Sequence, residues 1–399
     1  MTKISDLPRD LAEEVLSRVP VTSLRAVRFT CKKWNTLTKH RSFTKKLVCQ
    51  AKAEPKKKQA KEFYAIMTMN YKVYLMSVNL DEIHKDDNVE SSIKQKGELI
   101  SLNGTDQIGI YQVYHCDGLL LCITNEKNSR FVVWNPYSGQ RRWVQPRKSY
   151  NRWDCKYALG YEMKNKSHRS HKILRFSDSY EGLDIPLWEF EIYNLSSNSW
   201  KVVGVTPDWT IHFYQHGHVC SGVSLKGNTY WFALRKEKKI LPFEEVILED
   251  MPSFLLCFDF TTEKFGPHLP LPFKYRIRED TLTLSIVREE QLAVLGQHQH
   301  WTEIWISNKI EPNAVSWSKL FLIVDEIRLD PARAATFFVD EEENVAVVFD
   351  KGKWVHKSSR NTANIVGVNG YDEEADLGRS VHRYCFPLVC SYAPSSVQI

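Results

Sequence analysis

The chain has 399 residues, 43% of them hydrophobic and 12% aromatic, which permits one large domain with a small one and excludes disorder over most of the length. Its net charge of +6 is unevenly shared: residues 1–61 carry 16 Lys or Arg against 5 Asp or Glu, and the remainder 38 against 43, so a basic head and a slightly acidic body are expected to meet different partners. Nine scattered cysteines argue against a disulfide framework, and neither a leader-like start nor an apolar run of ~20 residues is present, so the expected setting is cytoplasmic, nuclear or both, away from membranes.

Residues 5–47 read as helices. Ser5-Asp6-Leu7-Pro8 makes a turn-like start, Leu11, Val15 and Val19 follow at spacings of four, and Pro20 stops that helix. A second helix from Thr22 or Ser23 puts Leu24, Val27, Cys31 and Trp34 on one stripe, and Phe43 and Leu47 suggest a short third. Three such helices enclose little core, because modules below ~40 residues usually need a staple or a partner. Leu7, Pro8, Leu16 and Pro20 fall off the core stripe and are expected to face another protein. Residues 49–62 then read as a solvated basic linker, in which Lys56, Lys57 and Lys58 suit either a nuclear-import signal or plain linker surface.

From Phe63 onward, short alternating or apolar runs separated by turn residues read as an all-β body. A loose repeat recurs in it, an apolar strand, a polar turn and a strand opening on an aromatic: Trp143, Trp200, Phe265 and Trp317 stand 57, 65 and 52 residues apart. A recurring hairpin at roughly 40–50 residues or a little more is the mark of propeller blades, with about six fitting the length. Each repeat aromatic would pack between neighbouring sheets, since a lone four-stranded sheet cannot bury its faces. A β-sandwich is the alternative.

Leu7-Pro8-x-x-Leu11, Val15-Leu16-x-Arg18-Val19-Pro20, Leu24, Arg28, Cys31-Lys32-x-Trp34 and Phe43 together resemble the F-box. The body resembles the F-box-associated, kelch-related domain common in plants, through Cys116-Asp-Gly-Leu-Leu-Leu-Cys122, Trp134-Asn-Pro136, Lys156-Tyr-Ala-Leu-Gly-Tyr161, Gly227-Asn-Thr-Tyr-Trp231, Glu303-Ile-Trp305 and Ser316-Trp-Ser-Lys-Leu320. The resemblance implies an all-α F-box of three helices at 1–48, a linker at 49–62 and a β-propeller-like domain at 63–399. It implies a non-catalytic substrate-recognition subunit of an SCF-type ubiquitin ligase, bound to a Skp-family adaptor and through it to a cullin scaffold. Its adaptor contacts would be Leu7, Pro8, Leu11, Val15, Leu16, Val19, Pro20, Leu24 and Trp34.

Other chemistry is thin. His212, His216 and His218 are the most metal-like cluster, so a kelch-like metal-dependent enzyme is one alternative and a non-degradative, adaptor-bound regulator another. No cofactor motif is present, a cysteine nucleophile is not expected although His115 and Asp117 flank Cys116, and nucleic-acid binding by the basic head is disfavoured by the adaptor pattern of its helices. A protein target would be met by the irregular stretches 177–187, 205–218 and 236–252, with Trp209, Phe213 and Tyr214 as aromatic anchors.

Overall fold

In a computed structural model of the protein the described residues are 7–19, 21–38, 40, 42–43, 62–79, 93–98, 108–126, 129–148, 155–165, 168–177, 189–211, 213–214, 218–219, 222–235, 252–274, 280–298, 301–324, 336–342, 344–352, 358–367, 372–382, 385, 387–395 and 397–399. Three short helices come first: α1 (Arg9–Ser17), α2 (Val21–Thr30) and α3 (Lys32–Thr38). The helix expected to run from Leu24 to Trp34 is thus two, broken at Cys31, whose thiol accepts the Trp34 N–H at 3.4 Å while its carbonyl receives the Asn35 N–H. The expected faces of α1 are exchanged as well. Leu16, 1% exposed, joins Ala12, Leu24, Leu37 and Phe43 in the core, whereas Leu11 and Val15 are 54% and 49% exposed. A short helix in so small a bundle buries one face, and here α2 and α3 lie on the Leu16 side. Leu47 lies outside the described residues.

From Glu62 the chain forms successive antiparallel sheets. Blade one has β1 (Glu62–Met69), β2 (Lys72–Asn79) and β3 (Ile93–Glu98); blade two has β4 (Ile110–Cys116), β5 (Leu119–Thr124), β6 (Phe131–Trp134) and β7 (Arg141–Val144). Blade three has β8 (Cys155–Asn165), β9 (His168–Ser177), β10 (Glu189–Asn194) and β11 (Ser199–Val203). In blade four the inner strand is split: β12 (Trp209–Ile211) opens it, a hairpin of β13 (Phe213–Tyr214) and β14 (His218–Val219) interrupts it, and β15 (Val223–Leu225) resumes it. Both halves pair with β16 (Asn228–Arg235), which continues into β17 (Ser253–Asp259) and β18 (Lys264–Phe265). Blade five has β19 (Thr281–Val287), β20 (Gln291–Gln297), β21 (Trp301–Glu311) and β22 (Ala314–Val324); blade six has β23 (Thr336–Asp340), β24 (Val345–Lys351), β25 (Ser359–Gly367) and β26 (Asp372–Ser380). Finally β27 (Leu388–Ser391) pairs with β1 and becomes the inner strand of blade one, which closes a six-bladed propeller.

The body's core lies between blades. Met67 meets Val347, Leu75 meets Leu120, Leu121 meets Tyr157, Phe176 meets Trp231, Leu255 meets Leu282 and Leu295 meets Val348, so each neighbouring pair of sheets shares one apolar cluster. The repeat aromatics stand on the fourth strands of blades two to five, and Trp200, Phe265 and Trp317 pack onto these clusters. Trp143 does not. Its neighbour Val144 takes the side that faces blade three, so the period-two alternation turns Trp143 to the other face, where the Arg130 guanidinium lies 4.8 Å over the ring. The seven described cysteines are free, and five of them are buried as small apolar residues.

Two consequences are measurable. A Cβ on Gly160 would stand 2.2 Å from the Phe260 ring and 2.4 Å from the Gly227 carbonyl, because β8 passes against the β15–β16 turn where Tyr161 N–H donates to Gly227. Gly160→Ala is therefore expected to lower stability by about 1–3 kcal/mol in denaturant titration, with blades three and four the first to lose exchange protection. His298, from the Gln297–His300 stretch, sits between Asp280 Oδ1 at 3.1 Å and Glu303 Oε1 at 3.3 Å, and Glu303 also takes Lys319 at 2.8 Å. The Asp280 hydrogen bond leads in holding its pKa above the ordinary histidine value. A raised folded pKa means stability that is fully present below the unfolded pKa and lost as pH rises through the folded one. The expected result is a melting temperature that falls as pH rises above the ordinary histidine range of about 6.5 in the wild type and is flatter in His298→Gln.

Candidate functional site

The helical head presents two kinds of surface. Outward, Leu11 and Val15 lie four residues apart on α1, and α2 adds Phe29, 82% exposed, which sequence reasoning did not single out. Isolated apolar side chains at a surface are ordinary, but three on a module this small amount to an apolar face. On the same helix Arg9 and Arg18 are held to Glu13 and Glu14. Inward, Leu7, Val19, Val27 and Trp34 pack partly buried against the head's core, and Lys33 Nζ holds the Leu7 carbonyl at 2.7 Å. The Trp34 indole N–H is buried with no hydrogen-bond acceptor among the described residues.

Among the residues implied as adaptor contacts, Leu11 and Val15 are therefore open to a partner and Pro8 is exposed beside them. Leu16 and Leu24 are both core residues whose truncation would empty the bundle: Leu16, expected to face outward, lies inside, and Leu24 keeps to the buried side of its stripe. Pro20 lies outside the described residues.

The head's core is completed from the propeller. Tyr137, in the β6–β7 turn, is buried among Ala12, Leu16, Leu24, Leu37 and Phe43, so part of the apolar surface expected to await a partner is covered from within the chain. Only the tertiary fold brings it there, and nothing in the Trp134-Asn-Pro136 phrase signals that the next residue belongs to another domain's core.

A second concave site is the propeller's axis. A cavity of about 250 Å³ takes walls from the inner strand of every blade, through Val113, Tyr161, Val223, Leu284, Thr336 and Val389. Its mouth is charged. Asp117 in the β4–β5 turn accepts from Arg169 and from His171 Nε2 at 3.1 Å, and the Arg169 guanidinium lies 4.7 Å over the Tyr161 ring. Lys226 and Glu289 stand in the corresponding turns of blades four and five. Burial pushes the His115 pKa down to about 4 and the Cys116 thiol well above its ordinary value, so His115 is uncharged near neutral pH and Cys116 is held as the thiol.

The residues named for target contact divide. Trp209 is 4% exposed and packs edge-on or tilted against Phe176, Phe190 and Phe265, so it is a core residue between blades three and four. It is apolar enough to be drawn into the gap that two facing sheets must fill. Phe213 and Tyr214 pair with Val219 and His218 in the hairpin that interrupts the inner strand of blade four. His212 and His216 lie outside the described residues, as does most of 177–187 and 236–252. Among the described residues no group of three His, Cys, Asp or Glu is placed to hold a metal ion, and no helix is long and apolar enough to cross a membrane.

Comparison with known proteins agrees with this architecture. Residues 4–46 match the F-box domain and residues 64–399 match the F-box associated beta propeller domain. The chain is 63% identical to the F-box protein At3g17320 and 57% identical to the F-box/kelch-repeat protein At3g16740, both of Arabidopsis thaliana, with each alignment covering 100% of both chains. Among solved structures, TolB from Acinetobacter baumannii is 11% identical with a TM-score of 0.40, over 84% of this chain and 69% of that one. An N-terminal three-helix head joined to a six-bladed propeller, with these two matches along its length, makes the chain a member of the F-box proteins that carry an F-box associated β-propeller domain.

Proposed function

We propose that the protein is the target-recognition subunit of an SCF-type ubiquitin ligase, with the head on a Skp-family adaptor, the adaptor on a cullin scaffold, and the propeller on a protein target. The observation that supports this most is the exposed pair Leu11 and Val15 on the first helix of an F-box, joined by Phe29. Exposed apolar anchors on a rigid scaffold are what a partner desolvates, and the net positive charge of the head speeds capture of an acidic one. The chain needs no catalytic group in this role: a bound target is held near another enzyme's reactive thioester, and the effective concentration does the rest. Such a subunit would work in the cytoplasm, the nucleus or both.

Antiparallel topology also separates the two tasks in space. In each blade the turns joining first to second and third to fourth strands lie at one end, and the remaining connections lie at the other. The head docks at the β6–β7 turn, on the first of these ends. The strand ends that bracket 177–187 and 236–252 belong to second-to-third connections, on the opposite one. A target seated on those stretches would be held away from the adaptor.

The test is quantitative capture of a recombinant Skp-family adaptor by the full chain. Leu11→Ala with Val15→Ala should weaken capture about tenfold or more while leaving stability within about 0.5 kcal/mol, since both side chains are exposed. Removal of residues 1–48 should abolish it. Undiminished capture by both variants would end the proposal.

A further inference from the structure

The six-residue turn 135–140 is gripped from two sides. On one side is the head: the Tyr137 hydroxyl donates to the Thr38 carbonyl at 2.6 Å, and the Arg28 guanidinium lies 4.5 Å over the Tyr137 ring. Arg28 donates through Nε to Thr38 Oγ1 at 3.0 Å and through a second nitrogen to the Tyr137 carbonyl. On the other side is the segment that follows β27. Asn135, fully buried, donates through its amide nitrogen to the carbonyls of Ser395 at 2.9 Å and Val397 at 2.8 Å, while its own oxygen takes the Ser138 N–H. Gln140 bonds Gln398 at 2.6 Å and accepts the Ile399 N–H, and Val397 and Ile399 pack on the core between blades two and three. Gly118 leaves room for this path, since a Cβ there would stand 2.3 Å from the Ser395 side chain. Tyr392, next after the closing strand, is buried beside Arg28 and Tyr137.

We propose that this turn is a mechanical relay: seating of Ser395, Val397, Gln398 and Ile399 against Asn135 and Gln140 holds Tyr137 in the head's core, and so fixes the head on the propeller. Arg28 and Tyr137 are then positioning residues, and Asn135 acts on the head without touching it. The consequence for ligase assembly rests on the proposed function; the relay itself does not. The physical case is that a buried amide bonded once within its own turn and twice to the C-terminal segment loses both outside acceptors when that segment leaves, and the turn then relaxes. Tyr137 is rigidly part of that turn, and a head of three short helices has little other core to compensate.

Hydrogen exchange on the full-length protein tests the relay with three variants: Asn135→Ala, deletion of residues 394–399, and Tyr137→Phe. Asn135→Ala and the deletion should each speed exchange of peptides covering α2 and α3 by about tenfold, with β5 and β6 still protected. Tyr137→Phe should loosen α2 and α3 alike but leave Ser395, Val397, Gln398 and Ile399 seated, which gives the direction of the relay. Unchanged α2 and α3 in both the Asn135 and deletion variants would overturn it. If Asn135→Ala opens blade two, the deletion decides: opening of blade two there as well makes the segment a propeller strut and ends the proposal. Adaptor capture by the deletion variant should weaken several-fold. A wild-type chain that captures no adaptor would count against the ligase reading while leaving the exchange result to stand on its own.

Discussion

Four residue pairs, from Ala65–Ser391 to Thr68–Leu388, join the propeller's last strand to its first. Every blade depends on that pairing, because each sheet buries its faces only against its neighbours. An open ring would expose one face of blade one and one of blade six, including Met67, Val347, Phe349 and Ile365. Burial of apolar surface at about 25 cal/mol per Å² drives closure, and the entropic cost of bringing distant ends together grows only slowly with loop length. Closure turns the inner strands toward the central cavity and leaves the fourth strands as the outward edges. Two of those strands are blunted, β18 by its shortness and β26 by its Asp-Glu-Glu-Ala-Asp run, which discourages pairing with another chain.

Polar ties add direction to this apolar ring. Lys172, almost wholly buried, reaches Glu162 at 2.6 Å within blade three and Glu263 at 2.7 Å in blade four, and it also donates to the Phe260 carbonyl. With three acceptors the ammonium group is satisfied where an unpaired one would be costly. Gly160 and the Gly227 turn make the same junction through backbone contact. Blades three and four are therefore held in one register, and the split inner strand of blade four can give up its middle to a hairpin without opening the ring.

The head is attached by a different logic. Its own helices supply Ala12, Leu16, Leu24, Leu37 and Phe43, and the propeller supplies Tyr137, so the smaller domain's core is partly owned by the larger. The outward face keeps Leu11, Val15 and Phe29 in water. One side of the module is thus committed within the chain and the other is left exposed, and the two do not share side chains.

Much of this was legible in the residues. Period-two apolar runs gave the strands, the recurrent aromatic gave the blades, and the Leu-Pro start with Cys31-Lys32-x-Trp34 pointed to the head, because these patterns are local and a strand or short helix is specified by its own few residues. What stayed hidden were choices between faces. Leu11 and Leu16 are equally apolar, and which one is buried depends on where α2 and α3 pack. Trp209 looks like an anchor until Phe176, Phe190 and Phe265 surround it, and Trp143 looks like core until Val144 takes its place. Asn135 belongs to the Trp134-Asn-Pro136 phrase, but nothing in the sequence links it or Tyr137 to the end of the chain. Their partnership spans the chain, and only ring closure, which sets the end of the chain beside the second blade, brings them into contact.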